Sequence, residues 1–252
     1  MAQVFFDDEH KIKVPGDAAI DTFDPAKHVY SFSTAGNIKM GKILSWSTLM
    51  SDYTVEGLPG ALADSTGTCG NCDGCVANCY VRASYRFPGV IRSHAINTYG
   101  LRHQLGKVEA DLASQLKRSS IDVVRINQSG ELENDEQMAM WCRLATAFPG
   151  KRFYIYTKMF DIATKALLAG KVPENFTVLF SVWHECGVAE YEAVKHLKNV
   201  KAFMYDDGVT ELSTRTYCMA YDEHGHLDHT HTCESCKLCF NSRAKVIGCH
   251  AH

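Results

Sequence analysis

Residues 121–157 read IDVVRINQSGELENDEQMAMWCRLATAFPGKRFYIYT and predict a strand, a helix and a second strand. The two ends, 121–127 and 152–157, are rich in β-branched and aromatic residues, as strands usually are. The helix begins near Asn134 or Asp135, both good N-caps, and it ends at Pro149 and Gly150. Its apolar face carries Met138, Trp141, Ala145 and Phe148. The segment therefore has the strand–helix–strand order of a parallel α/β unit.

The same alternation continues towards residue 205. Strands are predicted at 176–183 and 200–205, with one helix between Asp161 and Gly170 and another marked by Val188, Tyr191, Val194 and Leu197. The 176–183 strand is almost wholly apolar, as expected when both faces of a parallel strand are covered. Right-handed crossovers then give either a complete or partial (β/α) barrel or an open doubly wound sheet.

Polar residues follow these strands at their carboxyl ends, where both architectures place their chemistry. They are Gln128, Ser129, Gly130, Glu131, Lys158, His184, Glu185, Asp206 and Asp207. Such a rim is more polar than a purely structural edge needs. Solvated loop charges remain the alternative explanation for any one of these residues.

The chain divides by composition into three parts. Residues 1–36 show no sustained periodicity and are expected to form an irregular lead-in, 37–210 hold the barrel, and 211–252 form a cysteine- and histidine-rich segment. Within the middle part, loose alternation over 37–49 predicts a first strand, and apolar residues at helical spacing predict a helix over 101–116. Pro88 and Gly89 are expected to divide the helical region in two.

Four cysteines lie within residues 69–80, which read CGNCDGCVANCY. The candidate metal ligands are Cys69, Cys72, Cys75 and Cys79. This spacing lets successive thiolates surround one [4Fe-4S] cluster, and Gly70 and Gly74 are expected to supply backbone with positive φ. A zinc site normally uses two separated pairs, so the spacing favours the cluster. In two-cluster ferredoxins the fourth cysteine binds the other cluster. We rank that arrangement lower for Cys79, because a whole fold separates the two cysteine sets in this sequence.

A second cysteine set lies in residues 211–252. Cys233, Cys236 and Cys239 are separated by two-residue gaps, Cys218 is the expected remote fourth ligand, and Cys249 is its alternative. A segment without its own core generally needs a staple, which a second [4Fe-4S] cluster would provide. Zinc competes at this site, because a CxxC pair, a remote cysteine and a histidine such as His231 also satisfy tetrahedral coordination.

Other cysteines and histidines carry weaker signals. Cys142 lies in the body of a predicted helix and is expected to be a buried non-ligand, whereas Cys186 follows a strand end and its role stays open. The histidines of the final segment are otherwise interpreted as solvated loop residues; they are His224, His226, His229, His250 and His252.

The charge balance bounds the partners. The chain has 252 residues, a formal net charge of −3 and a pI near 6.4, without the basic excess typical of nucleic-acid-binding proteins. A nucleic-acid partner is therefore not expected, although a local patch stays open. The sequence shows no membrane-length apolar run and no secretion signal. We expect a cytoplasmic protein without a membrane partner. In that reducing compartment, closely spaced cysteines are expected to bind metal rather than form disulfides.

The order of these elements resembles the core of the radical S-adenosylmethionine superfamily. Cys75, Cys79 and Tyr80 match the start of its C-x3-C-x2-C signature, but the third cysteine would fall at Arg82 and is missing. The resemblance implies a partial (β/α) barrel with a cluster at its mouth and a cysteine-rich metal-binding appendage. It also implies that Ser129, Gly130 and Glu131 hold the methionine end of S-adenosylmethionine.

A closer resemblance is to the phage gene-product-eighty-eight family of cysteine-rich proteins, over roughly residues 38–245. Its features are Gly41–Ser45 (GKILS), the CxxCxxCxxxCY loop, Arg125-Ile126 before Ser129-Gly130-Glu131, Trp141 ahead of Phe148-Pro149, the segment FYIYTK at 153–158, and the final CxxCxxC. The family has no settled activity to carry over. The resemblance implies phage origin and hence the host cytoplasm.

Three functions follow as hypotheses. If all four thiols of the first set bind, the cluster is closed, and the protein is an iron-sulfur protein with one or two [4Fe-4S] clusters in a redox or structural role. Its partner, a redox protein or a host protein, is unknown. The alternatives are a radical S-adenosylmethionine enzyme with atypical ligation and a zinc-stapled module that binds nucleic acid or a host protein. Glu131 would hold the cofactor's amino group in the enzyme, or else it caps the following helix.

Overall fold

The protein was examined as a computed structural model, which describes residues 5–6, 11–14, 22–34, 39–70, 75–76, 79–183, 186–206, 208, 210, 212–214, 216–222, 224, 226–228 and 230–250. The strands are β1 (Phe5–Phe6), β2 (Lys11–Lys13), β3 (Leu44–Ser45), β4 (Thr54–Glu56), β5 (Ser65–Thr66), β6 (Val123–Ile126), β7 (Arg152–Thr157), β8 (Phe176–Val182), β9 (Val200–Asp206) and β10 (Val246–His250). The helices are α1 (Val81–Ser84), α2 (Pro88–His103), α3 (Leu105–Arg118), α4 (Asp135–Ala147), α5 (Phe160–Leu168), α6 (Val188–Val194), α7 (Cys233–Cys236) and α8 (Leu238–Asn241), with a 3₁₀ turn at Gly60–Leu62.

Six strands form a parallel sheet in the order β10-β9-β8-β7-β6-β3. This confirms the predicted α/β class with a parallel sheet flanked by helices, and β6 to β9 match the four strands predicted along 121–205. The strand order follows the chain without a reversal. Among the described strands there is therefore no switch point of the kind that a doubly wound sheet requires.

Two findings correct the predicted boundaries. A second sheet, in the order β1-β2-β4-β5, begins inside the lead-in that was expected to be irregular, because β1 and β2 both lie before residue 37. The last strand, β10, lies in the cysteine-rich segment and pairs with β9, so this segment returns to the main sheet. The run Val246-Ile247-Gly248-Cys249 was too short and too close to the end of the chain to stand out as a strand.

The predicted helix signals are largely confirmed. The side chain of Asn134 accepts a hydrogen bond from the Gln137 amide at 2.9 Å and caps α4. Pro88 occupies the first turn of α2, where its missing N–H costs nothing. The helical region is divided once more than expected, at Gln104 between α2 and α3.

The two faces of the main sheet are covered differently. On one face, strand side chains such as Ile126, Ile155 and Phe180 pack with helix residues such as Leu112 and Trp141 in the larger core. On the other face, a smaller cluster contains Tyr154, Leu179, Ile247, Ile43 and Phe240, against which Cys218, Cys233 and Cys239 pack. Helices thus cover one face, and the cysteine-rich connection between β9 and β10 covers the other.

Lys201 fastens that connection to the sheet. Its side chain is 5% exposed. Its ammonium group donates to the carbonyl oxygens of Leu238, Ser242 and Ala244 and to the Ser242 hydroxyl, at 2.8–3.0 Å. Leu238 begins α8, and Ser242 and Ala244 follow its last residue, so one buried cation joins this helix and the residues after it to β9.

Lys201→Met should lower the free energy of unfolding by about 1–3 kcal/mol, because several buried carbonyl groups lose their donor. Urea unfolding measures this change, and limited proteolysis should cut first within 207–245. The matched control is Lys198→Met, whose ammonium pairs with Glu174 at 3.5 Å while both side chains are more than four-fifths exposed (85% and 86%). The control should change stability by less than about 0.5 kcal/mol. Equal effects of the two variants would contradict the role given to Lys201.

Candidate functional site

A cavity of about 230 Å³ lies on the open face of the sheet, near the carboxyl ends of its strands. Its walls come from the 69–80 loop, from the ends of β6 to β9 and from the cysteine-rich connection. Both cysteine sets face it: its lining includes Cys69, Cys75, Cys79, Cys218, Cys233, Cys236, Cys239 and Cys249. The fold therefore brings together two groups of thiols that are far apart in sequence.

The first cysteine set enters the cavity between β5 and α1. The Cys69 amide donates to the Ser51 carbonyl at 2.8 Å, and the Cys79 amide donates to the Val76 carbonyl at 3.3 Å, so both positions are fixed by backbone. Burial raises the pKa of the Cys79 thiol, and the neighbouring Cys75 raises it further. The other predicted ligand of this set, Cys72, lies outside the described residues.

The glycines of this loop correct one expectation. Gly70 does not have a positive φ, and a Cβ there would meet only the side chain of Met159, at 3.4 Å. Gly74 lies outside the described residues. At Gly70, then, the loop does not depend on left-handed backbone.

The second cysteine set is built on two short helices. Thr232 and Ser235 form a capping box at the start of α7, which carries Cys233 and Cys236. The Cys239 sulfur lies 2.8 Å from the Tyr156 hydroxyl. Burial raises the pKa of Cys239 to about 12, and Cys233 adds to that rise. The surroundings of Cys239 therefore favour its protonated thiol unless a cation joins it.

The two candidate remote ligands, Cys218 and Cys249, have different electrostatic neighbours. Burial raises the pKa of Cys218, and Cys233 and Cys236 contribute to the rise. Burial also raises the pKa of Cys249 to about 12, but the cysteine that contributes there is Cys218. Cys218 is thus the thiol that interacts with the CxxC pair. Cys249 lies on β10 and interacts with Cys218.

The described ligand side chains are not gathered around a single point. Within the described ranges, no group of three or more His, Cys, Asp or Glu side chains is placed to hold one metal ion. Tetrahedral zinc needs its ligands about 2.0–2.3 Å from one centre. The four thiolates of a [4Fe-4S] cluster bind four different iron atoms, so they need not converge in this way.

The histidines of the final segment stand away from the cavity. The His231 ring lies 3.0 Å from an Asp228 carboxylate oxygen and 2.8 Å from the Thr230 hydroxyl, and His226 lies 3.4 Å from Asp222. Neither histidine lines the cavity, and His229 lies outside the described residues. Asp228 and Thr230 contact only the Nδ1 atom of His231, so its Nε2 atom is not engaged by them, but the ring lies outside the lining of the cavity that holds the cysteines.

The turn after β6 is built into the cavity wall. The Ser129 hydroxyl donates to the Thr48 carbonyl at 2.9 Å. Gly130 has φ +77°, and a Cβ there would lie 1.9 Å from the Thr48 hydroxyl oxygen and 2.6 Å from that of Thr68. Only glycine fits this position, because both the left-handed backbone and the close approach exclude a side chain.

Glu131 joins the ends of two strands. Its carboxylate accepts a hydrogen bond from the Thr157 hydroxyl and another from the Lys158 amide, each at 2.8 Å. Burial raises the pKa of Glu131, whereas Lys158 lowers it. The alternative that Glu131 caps the following helix is wrong, because Asn134 makes that cap. The carboxylate instead ties the end of β6 to the end of β7 and faces the cavity.

Cationic side chains complete the cavity. The Lys158 ammonium lies 3.5 Å from the Cys75 sulfur, and the Lys39 ammonium donates to the Tyr221 hydroxyl at 2.8 Å. Arg125 is 7% exposed and stacks on the Tyr156 ring, with its guanidinium carbon 4.6 Å from the ring centre. Sequence reasoning missed Lys39 and Arg125, although a charge inside the apolar strand Val123–Ile126 was a usable signal.

Other predicted rim residues are distributed unevenly. Gln128 and Lys158 line the cavity, whereas Asp206 accepts from the Tyr217 hydroxyl at 2.9 Å outside it. Three others lie outside the described residues; they are His184, Glu185 and Asp207. Cys142 is buried on α4 in the helix-side core, as predicted, and Cys186 is exposed.

Comparison with known proteins gives one match. A family model described as Gene product 88 matches residues 29–242, which is most of the chain. Neither the curated proteins nor the solved structures contain a significant match. No helix in the described part of the chain is long and apolar enough to span a membrane.

Gly130→Ala should lower the free energy of unfolding by about 1–3 kcal/mol, because the added Cβ would clash with Thr48 and the backbone has a positive φ. The control is Gly106→Ala in α3, where a Cβ meets nothing within 4 Å. It should be neutral or stabilising by up to about 1 kcal/mol. Urea unfolding of both variants tests the pair, and a harmless Gly130→Ala would show that the turn is not fixed as described.

Proposed function

The chain belongs to the gene product 88 family, and we propose that it is an iron-sulfur protein. One [4Fe-4S] cluster binds at Cys69, Cys72, Cys75 and Cys79, and a second binds at Cys218, Cys233, Cys236 and Cys239. The observation that carries the proposal is the convergence of both cysteine sets on a single cavity. When bound, such clusters carry single electrons, so the protein transfers electrons, senses redox state or uses the clusters as staples.

The surroundings of the thiols support anionic clusters. Burial and mutual repulsion raise the pKa of Cys79, Cys218 and Cys239, so the thiolate form that metal binding needs requires positive charge nearby. Lys158 lies against Cys75, and Arg125 stacks on the tyrosine that contacts Cys239. These cations offset the negative charge that a thiolate-ligated cluster adds to a buried site.

The fold supports the resemblance to a partial (β/α) barrel. Consecutive parallel strands with helices on a single face are the winding of such a barrel, and the cavity occupies what would be its mouth. We propose that the cysteine-rich connection closes the mouth where further strands would otherwise close the barrel. If the protein is phage-encoded, it acts in the host cytoplasm with a redox or host partner.

The second candidate function is a radical S-adenosylmethionine enzyme. It is favoured by the position of Ser129, Gly130 and Glu131, which line the cavity that the first cysteine set enters. It is weakened by Arg82, which stands in α1 where the third signature cysteine would lie. It is also weakened because both oxygens of Glu131 already accept hydrogen bonds from Thr157 and Lys158.

The zinc-stapled module is the weakest of the three candidates. The sequence favoured it through the spacing of the second cysteine set and the presence of a nearby histidine. His231 does not line the cavity in which the second cysteine set lies. The described thiols are also not arranged around one centre, as tetrahedral zinc requires.

Iron and acid-labile sulfide should each reach about eight atoms per chain in protein purified without oxygen, the content of two [4Fe-4S] clusters. Cys75→Ala and Cys239→Ala should each lose about half, because each removes one ligand from a different cluster. Cys142→Ala is the matched control and should lose none, since its thiol lies in the helix-side core.

The outcomes separate the hypotheses. Equal iron loss in all three variants would show that the ligand assignment is wrong. Retention of iron but loss of zinc in Cys239→Ala would assign zinc to the second site. Absence of both iron and the broad brown absorbance from the unaltered protein would refute the proposed function as a whole.

Anaerobic reduction in the presence of S-adenosylmethionine should yield no deoxyadenosine, because four thiolates leave no open iron on the first cluster. The electron paramagnetic resonance signal of the reduced protein should be the same with and without S-adenosylmethionine. Chromatography detects deoxyadenosine directly. Its formation, or a shift of that signal, would favour the radical enzyme over a closed cluster.

A further inference from the structure

A buried guanidinium in the cavity wall has no counter-anion among the residues that the structure describes. Arg125 is 7% exposed, and its Nε has no hydrogen-bond partner in the described part of the chain. Its Nη1 meets only the Met40 sulfur, at 3.6 Å, which is a weak acceptor. No carboxylate pairs with it among the described ranges. A charge kept this far from water is costly unless something neutralises it.

A second unpartnered donor lies two residues further along. Asn127 is 6% exposed, and its side-chain Nδ2 has no hydrogen-bond partner among the described residues. Its backbone has φ +55°, in the left-handed region. Arg125 lies on β6 and Asn127 follows its last residue, and both line the cavity. Buried donors without partners are uncommon in folded proteins and call for a reason.

We propose that Arg125 and Asn127 form a binding site for the carboxylate of a small organic anion. A guanidinium presents a planar fork that matches two carboxylate oxygens, and the amide of Asn127 adds a further donor. The ligand's carboxylate would satisfy the buried charge and the amide together. This site goes beyond the proposed function, which assigns neither residue a ligand.

The aromatic side chains around this site indicate the shape of the rest of the ligand. Tyr156 lies against the guanidinium, and Phe203 packs edge-on against Tyr156 with ring centres 5.1 Å apart. Trp183 and Tyr205 stack at 4.5 Å and 12° on the same cavity. A flat apolar or aromatic body attached to the carboxylate fits these surfaces.

The site lies between the two cysteine sets. On one side, the hydroxyl of Tyr156 contacts the Cys239 sulfur, and the ring of Tyr156 stacks against the Arg125 guanidinium. On the other side, Gln128 follows Asn127, and its carbonyl accepts from the hydroxyl of Tyr80, the neighbour of Cys79. A bound anion would therefore stand within reach of both metal sites.

Calorimetric titration of the full chain, isolated without oxygen and held at low ionic strength, tests the site with benzoate as the probe. Benzamide has nearly the same shape without the charge and should bind at least tenfold more weakly. Arg125→Met should lose benzoate binding at least tenfold, and Asn127→Gly, which tolerates the positive φ, should weaken it several-fold. Arg118→Met is the matched control on the exposed end of α3 and should bind as the unaltered chain does.

Folding is checked by the Tm of each variant. Arg125→Met should have an unchanged or higher Tm, because the variant removes a buried charge that no described carboxylate pairs with. A lower Tm together with lost benzoate binding would show that Arg125 is structural and would overturn the proposal. Equal binding of benzoate and benzamide, or unchanged benzoate binding in Arg125→Met, would overturn it as well.

Two further outcomes distinguish other roles for Arg125. Binding of inorganic phosphate in place of benzoate would refute the carboxylate assignment. Absence of benzoate binding, with iron lost in Arg125→Met, would mean that Arg125 only offsets the charge of the second cluster. Iron and sulfide measured on the unaltered chain report separately on the proposed function, so the two can fail independently.

Discussion

The winding of the main sheet is the constraint on which the rest of the structure depends. Its strands follow one another in chain order and its helices cover one face, so the opposite face must be covered by something else. The connection between β9 and β10 does this with short helices, a stacked Phe240 and the buried ammonium of Lys201. Such a cover buries little apolar area, which explains why metal staples are expected at this face.

The open face combines features that ordinary cores avoid. One cavity holds thiols with raised pKa values, the buried carboxylate of Glu131, and the guanidinium of Arg125, which pairs with no carboxylate among the described residues. Each is costly alone, and a folded protein that retains them together sacrifices stability for function. The helix-side core, by contrast, is a large cluster of apolar side chains around the paired rings of Trp46 and Trp141. The contrast between the two faces marks where the chemistry lies.

The first cysteine set is positioned by the surrounding fold more than by its own loop. Thr68, next to Cys69, accepts from the Glu131 amide at 2.8 Å, and Glu131 in turn holds the Lys158 amide. Lys158 then reaches the Cys75 sulfur. This chain of contacts ties the loop to the ends of β6 and β7, so a change in the turn at Gly130 would be felt at the thiols.

The sequence by itself determined the parallel α/β class, the cap at Asn134, the non-ligand position of Cys142 and the two cysteine sets, because these depend on local spacing and periodicity. It missed β10 and the strands of the lead-in, whose pairing partners are distant, and of the two roles that it left open for Glu131 the helix cap was wrong. Only the tertiary structure brought the cysteine sets to one cavity and buried Arg125 between them. The physical reason is that cavities and buried charges arise from contacts between remote segments, which no local pattern of residues encodes.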